Sequence, residues 1–568
     1  MIGFRPAGDA GLLIETDVPA AWLAAAIVQA ELPGVLDVVP GARTVLVIAS
    51  PSTLSLAELA TRIAGLPVTA LDRDTAEPIS IPVVYDGPDL REVASITGLT
   101  LPELISRHAG GRYTVGWLGF APGFGYLTGL DPVLATVPRR ATPRPSVPAG
   151  SVAIAAGLAA VYPSASPGGW RILGHTSLSM WDPERDPAAL LSPGQVVTFE
   201  PVLAASAPPA SAPPTSAPPA SAPPDSAPPA SAPPASAPPA SGPARPSGHF
   251  FPSGASQPSS PSHPSGASHP SGAFGPSGHT VEVVRPGPLA TVQDLGRPGL
   301  AALAVPPSGA ADSASLIQGN RLVGNEDGAA GIELTLGRAA FRFPDGARVA
   351  VTGAPAQVTF PAGPAEVGAV LEVPAGGVIS IGAPVTGLRS YLAVAGGIAV
   401  PPVLGSRSAD LLSGLGGQPL KAGDLLPLGR SSKPGLLAAE APATGDRPRR
   451  GEIVRLRVIG GPRLDWFEAG ALDQLQAATY TVTASSNRTG LRLDGPSLHR
   501  ADDTELPSEG VITGSLQVPP DGQPILLLAD HPTTGGYPVI AVVITEDIGR
   551  AAQLRPGDMI SFGPDQGR

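Results

Sequence analysis

One tract constrains this chain more than any other. Residues 206–278 repeat Ser-Ala-Pro-Pro-Ala pentads and then Pro-Ser-Gly-His units, with no Val, Ile or Leu among them. Such a stretch cannot bury enough apolar surface to offset the entropy of ordering it. Its Pro-Pro pairs bias it toward polyproline II, at about 3.1 Å per residue. The expectation is a disordered Pro/Ser/Ala linker over 202–279 joining two folded halves. His249, His263, His269 and His279 lie in or beside it. Spaced histidines in such a tract more often bind nothing than hold a metal, so no metal site is assigned.

What remains is large enough for three to four domains by the usual domain size, about 100–150 residues. Aromatic residues make up only 4% of the chain, so Val, Leu, Ile and Ala must build the cores. The net charge is −11 and no Lys/Arg-rich run occurs, which argues against nucleic acid. No apolar run approaches the roughly 18 residues of a membrane span. The first residues lack the basic-then-apolar layout of a secretion signal, so a cytoplasmic protein is expected.

Cysteine is absent, which removes thiol nucleophiles, disulfides and Cys-ligated zinc. Lys421 and Lys433 are the sole lysines. Neither stands in a G-x-x-x-x-G-K-[ST] phosphate loop. Any nucleotide must therefore be held by Arg and backbone N–H groups, or by a partner.

Residues 1–76 read as a small α/β domain. A strand over 12–15 precedes a helix over 20–31; a hairpin pairs 35–39 with 44–48, and a helix follows over 55–64. Residues 77–201 begin with a strand over 79–85 and helices over 89–97 and 102–109. Short strands broken by Gly and Pro then suggest a β-barrel. Residues 280–430 are strand-rich with one helix over 312–322. A short linker is expected over 431–450, then a last β domain over 451–568 with a helix near 464–475. Three segments share a plan: Leu191-Ser-Pro-Gly-Gln-Val-Val-Thr-Phe199, Leu420-Lys-Ala-Gly-Asp-Leu-Leu-Pro-Leu428 and Leu554-Arg-Pro-Gly-Asp-Met-Ile-Ser-Phe562. Each is a Gly turn feeding a strand that closes a β segment, which points to related barrel-like domains.

Three clusters in the first half carry chemistry. Gly116-Trp117-Leu118-Gly119-Phe120-Ala121-Pro122-Gly123-Phe124-Gly125-Tyr126 alternates glycines with rings. Glycines let backbone approach a ligand while flat rings wall it, so Gly119, Phe120, Gly123 and Phe124 are candidate ligand-approach residues. Arg139, Arg140 and Arg144 lie on one Pro-stiffened loop, and preorganised guanidinium groups suit carboxylate or phosphate. Ser166-Pro167-Gly168-Gly169-Trp170 adds Gly169 and Trp170, and His175 is a candidate general base.

Together these clusters resemble the B-subunit family of 5-oxoprolinase, also known as the Kip inhibitor family and as allophanate hydrolase subunit 1. In the second half stand Gln293-Asp294-Leu295-Gly296-Arg297, Gly405-Ser406-Arg407-Ser408 and Thr534-Gly535-Gly536-Tyr537. This half resembles the C-subunit family of 5-oxoprolinase (allophanate hydrolase subunit 2) and is similar to the biotin-dependent carboxyltransferase domain of urea amidolyase.

The double resemblance implies a mainly β protein with an α+β N-terminal unit and cyclophilin-like barrels in both halves. It implies ATP- and Mg²⁺-dependent opening of 5-oxoproline to glutamate, working with a separate A subunit. A lactam is a poor electrophile, and phosphorylating its oxygen makes attack by water feasible. That chemistry needs a base, phosphate- and carboxylate-binding Arg, and oxyanion donors. The expected catalytic residues are Asp294, Glu333, Asp530 and His175. The expected substrate- or phosphate-binding residues are Arg139, Arg144, Gln293, Arg297, Ser406, Arg407, Gln517, Thr534 and Tyr537. Two alternatives accompany this reading. One is carboxyl transfer to urea or a related amide, with biotin arriving on another protein because neither lysine follows Met. The other is inhibition of a histidine kinase. A homo-oligomer is compatible with each.

Overall fold

The computed structural model describes residues 2–69, 78–203, 276–430, 451–502 and 504–565. The expected linkers over 202–279 and 431–450 fall almost wholly outside the described residues, as do His249, His263, His269 and Lys433.

The first unit is a four-stranded antiparallel sheet, ordered Ile2–Ala7, Gly11–Thr16, Thr44–Ala49, Val35–Pro40. Strand side chains alternate between faces. Leu12, Ile14, Val45 and Val47 pack against Leu23 and Ile27 of helix Ala20–Gln29 and Leu59 and Ile63 of helix Leu56–Ala64. Leu13, Val39 and Leu46 point the other way, into a second apolar cluster with Val511, Ile512, Leu527 and Val542 of the second half. The sheet is therefore buried on both faces, which explains its unbroken apolar runs.

A seven-stranded sheet follows, ordered Arg171–His175, Ser151–Ala155, Leu158–Val161, Gly125–Thr128, Tyr113–Leu118, Val196–Pro201, Ile79–Val83. Its ends meet: Val84 and His175 exchange both backbone hydrogen bonds at 2.9 Å. Helix Leu101–Ala109 starts where Thr100 and Glu103 form a reciprocal capping box, with Pro102 in the first turn.

In the second half, a six-stranded and a five-stranded sheet share one apolar interior. Asp312 caps helix Ser313–Val323, accepting the N–H of Ser315 at 3.1 Å, and Gly324 ends it in the left-handed region. The last unit is a closed seven-stranded barrel running from Ile453–Gly460 to Met559–Pro564. The helix expected over 464–475 is instead a 3-10 turn, Leu464–Trp466, and a separate helix, Ala471–Ala477. Gly470, at φ 85°, divides them.

The three similar segments each place a glycine at positive φ before a closing strand: Gly194 at 81°, Gly423 at 93° and Gly557 at 90°. Strands Val196–Pro201 and Met559–Pro564 pair parallel to Ile79–Val83 and Ile453–Gly460. Leu425–Gly429 pairs antiparallel with Pro276–Arg285. The shared turn thus specifies a closing strand but not the direction of its partner. The protein is mainly β, with an α+β N-terminal unit and barrel-like sheets in two halves, as the sequence leads one to expect.

Candidate active site

The two halves meet along a buried seam, and several candidate residues lie on it. Strands Tyr113–Leu118 and Gly125–Thr128 present the Gly/aromatic turn between them. Phe120 sits there at φ 67°, a conformation rarely adopted by a side-chain-bearing residue. Its N–H donates to Thr534 Oγ1 at 3.1 Å, so the second half holds this turn. At Gly119 a Cβ would stand 2.6 Å from that same Oγ1, so only glycine permits the approach. Gly123 has φ 73° and donates its N–H to Leu303 O of the second half.

The rings behind the turn form a packed aromatic core. Trp117 stacks on Tyr126 at 4.5 Å between centroids, and Phe124 meets Tyr126, Tyr162 and Trp170 edge-on. Phe124 and Trp170 are buried in this core, whereas Phe120 is half-buried at its rim. Gly169 accepts the N–H of Arg140 at 2.8 Å, tying the arginine loop to this wall.

The three arginines of that loop divide. Arg144 donates to both oxygens of buried Asp89 at 2.8 and 2.7 Å, and Arg140 adds a third contact at 2.9 Å. Burial alone would raise the Asp89 carboxyl; Arg144 and the Ile172 N–H hold it below the usual range. Arg144 is therefore committed within its own half. Arg139 instead crosses the seam and pairs with Glu505 at 2.8 Å. His175 pairs with Asp86 at 2.9 Å on the exposed barrel rim, away from the seam turn.

Across the seam, Gln517 is fully buried. Its Nε2 donates to Tyr537 O at 3.2 Å, while its Oε1 has no partner. Gly535 makes room for it: a Cβ there would lie 2.4 Å from Nε2. Tyr537 is partly buried, and burial raises its hydroxyl pKa.

The remaining second-half candidates converge on a deeper network. The Asp294 carboxylate accepts from Ser406 Oγ, Ser408 Oγ, Gly296 N and Arg407 N at 2.5–2.8 Å. The Arg407 side chain donates to Val400 O at 2.8 Å. Glu333 accepts from Tyr391 Oη at 2.8 Å and Ala311 N at 3.0 Å, and pairs with Arg488 and Arg389. Asp530 accepts from Ser308 Oγ at 2.7 Å and from Arg488 twice at 2.9 Å. Burial opposes ionisation of Glu333 and Asp530, but Arg488 outweighs it and both stay below the usual carboxylate range.

Gln293 Nε2 donates to Ala409 O at 2.8 Å. Arg297 donates to Ser408 O and leaves Nε and Nη1 without partners. Nearby Asp410 is pushed up to about 6 by burial and by Asp530. Among the described residues no group of three or more His, Asp or Glu side chains is arranged to hold a metal ion.

Sequence reasoning singled out the stretch that holds the hub of this network but gave its arginine no role. Arg488 bridges Glu333 and Asp530, and its only local signal is the Asn487-Arg488-Thr489-Gly490 turn. Arg389, Tyr391, Asp89 and Glu505 carried no signal, because their partners are distant in the chain.

Comparison with known proteins defines the class. Residues 303–564 match the family model for the carboxyltransferase domain, subdomains A and B, and residues 2–191 match that for subdomains C and D. Over 287 residues the chain is 39% identical to the 5-oxoprolinase C subunit of Escherichia coli strain K12, covering 50% of this chain and 90% of that protein. Over 179 residues it is 44% identical to the 5-oxoprolinase B subunit of Escherichia coli O157:H7, covering 30% and 80%. It is also 35% identical over 306 residues to urea amidolyase of Lachancea kluyveri, but these cover only 17% of that protein. The crystal structure of TTHA0988 superposes with a TM-score of 0.77 at 31% identity, covering 99% of this chain and all of that one. The chain belongs to the B-subunit and C-subunit families of 5-oxoprolinase, joined in one polypeptide.

Proposed function

We propose that this chain is the fused B and C component of an ATP-dependent 5-oxoprolinase. With a separate A subunit it opens the 5-oxoproline lactam to L-glutamate, in the cytoplasm. One observation carries this reading: the chain spans most of a B subunit and most of a C subunit, and their candidate loops meet on one seam.

In this reading the seam holds substrate. The Gly119–Phe124 turn walls the ligand, and Arg139, Gln517, Thr534 and Tyr537 face it. Asp294, Glu333 and Asp530 already accept several hydrogen bonds each. They act by positioning the loops at 294–309, 406–411 and 530–537 rather than by taking a proton from water. Arg297, whose Nε and Nη1 have no partner, is assigned the phosphate oxygens. ATP enters with Mg²⁺ as a substrate, and the chain contains no phosphate loop lysine to hold it.

The test is direct. The chain is mixed with an A-subunit protein, ATP, Mg²⁺ and 5-oxoproline, and glutamate and ADP are measured. No glutamate under any nucleotide or metal condition would sink the proposal. The carboxyltransferase family match supports a second reading, carboxyl transfer from biotin on another protein to urea or a related amide. Urea-stimulated loss of CO₂ from carboxybiotin, without glutamate release, would favour it.

A further inference from the structure

We propose that Arg139 binds the substrate carboxylate and that Glu505 is an internal placeholder for it. The inference rests on the 5-oxoprolinase reading for the name of the substrate, and on the geometry of the seam for the site.

Arg139 is singled out by its neighbours. Arg140 and Arg144, on the same loop, are held by the buried Asp89 carboxylate. Arg139 alone of the three turns across the seam, and the group it meets is a carboxylate. Arg139 is 48% exposed and Glu505 57%. An ion pair this wet is weak, so a ligand carboxylate can replace Glu505 without leaving a buried charge behind. Arg139 then keeps a partner, and Glu505 swings into water.

The surroundings suit a small amide-bearing acid. Tyr126, which hydrogen-bonds to Ser508, feels both Arg139 and Glu505, as does Tyr537; Tyr162 feels Arg139. Tyr126 and Tyr162 of the first half and Tyr537 of the second thus lie within electrostatic reach of Arg139. Beside Tyr537 stands the unpartnered Gln517 Oε1. Turning the side-chain amide over would set Oε1 against Tyr537 O, so the Nε2 hydrogen bond fixes its orientation. A buried acceptor with no donor is costly unless a ligand supplies one. An anion holder at the seam selects a cyclic amide that carries a carboxylate; urea offers N–H groups but no anion.

The experiment uses the full chain with its A-subunit partner. Arg139→Ala should raise KM for 5-oxoproline about two- to fivefold with kcat little changed, as expected for the loss of a solvent-exposed charge partner. Arg139→Lys should recover part of it. Glu505→Gln should lower KM about two- to fivefold by removing the competing anion. A merely structural pair would show no gain from Glu505→Gln.

Binding to the full chain alone supplies a second readout. Wild type should prefer 5-oxoproline over 2-pyrrolidone, the same ring without the carboxylate, by about two- to fivefold, and Arg139→Ala should erase that preference. Unchanged KM and unchanged preference in both variants would overturn the proposal. If wild type with the A-subunit protein releases no glutamate, the enzymatic reading fails, and glutarate then judges the anion site. Tighter glutarate binding in Glu505→Gln and its loss in Arg139→Ala support the site; equal binding in all three proteins overturns it.

Discussion

The Asp37 carboxylate of the first half accepts the backbone N–H of Gly299 in the second at 2.8 Å. It also accepts the N–H of Ala301 at 3.1 Å. These donors open the turn Ala301–Leu303, and the residues that follow, Ala304 and Val305, join Leu303 in the core of the first half's barrel. One buried carboxylate therefore anchors a loop of the second half inside the first.

This anchor makes stability depend on pH. Burial pushes Asp37 from 3.8 up to about 6, although the backbone donors pull the other way. The folded protein holds the proton more tightly than the unfolded chain, so the favourable contribution is full below the unfolded value. It is lost as pH rises from about 4 to about 6, by up to about 3 kcal/mol. Thermal unfolding of wild type and Asp37→Asn across that range should show wild type losing ground to the variant as pH rises. Asp410, also raised to about 6, is present in both proteins and cancels. A constant difference in Tm would contradict the assignment.

Arg488 should be among the least replaceable residues. Arg488→Met leaves Glu333 and Asp530 buried without their main counter-charge, at a cost of about 3–5 kcal/mol. Chemical denaturation should show the loss as a lower midpoint. Adding Asp530→Asn to Arg488→Met should recover part of it, because one stranded charge is then gone.

Thr534→Val tests the contact across the seam. The substitution keeps the shape of the side chain but removes the acceptor of the Phe120 N–H, worth about 1 kcal/mol. Because Phe120 holds an unfavourable backbone conformation, the turn should relax. Turnover of 5-oxoproline should fall about fivefold in kcat/KM for a barrier change near that size, and Thr534→Ser should retain activity.

The seam should outlive the covalent connection. Residues 1–203 and 276–568, co-expressed as separate chains, are expected to co-elute and to turn over substrate at high concentration. Their contact includes Leu13, Val39 and Leu46 against Val511, Ile512 and Leu527, and Arg463 shared between Glu15 and Glu509. Ile512→Asp places a charge in that apolar contact and should abolish co-elution while each piece stays folded by circular dichroism. Pieces that fail to associate without this substitution would assign the connecting segment a structural part.

Much of the local structure was legible in the residues. Ser55, Thr100 with Glu103, and Asp312 mark helix starts because a side-chain oxygen within three residues satisfies a bare N–H. The turns at Gly194, Gly423 and Gly557 were readable because positive φ favours glycine. The helix near 464–475 was misjudged because its apolar spacing hides the break at Gly470. For the site, the motifs marked the right loops but not the state of each side chain. Arg139 and Arg144 look equivalent in sequence, yet one pairs across the seam and the other serves Asp89.

The sequence by itself determined the two-halved plan, the mainly β class, the family and the loops that carry its polar residues. These depend on interactions within a few residues and on motif spacing. The tertiary structure alone decided that the first sheet is buried on both faces, and that Arg488 joins Glu333 to Asp530. It also decided that Phe120 leans on Thr534 and that Arg139 meets Glu505. Each of those pairings links residues far apart in the chain, and a side chain's partner is set by where the backbone brings it, which no local pattern encodes.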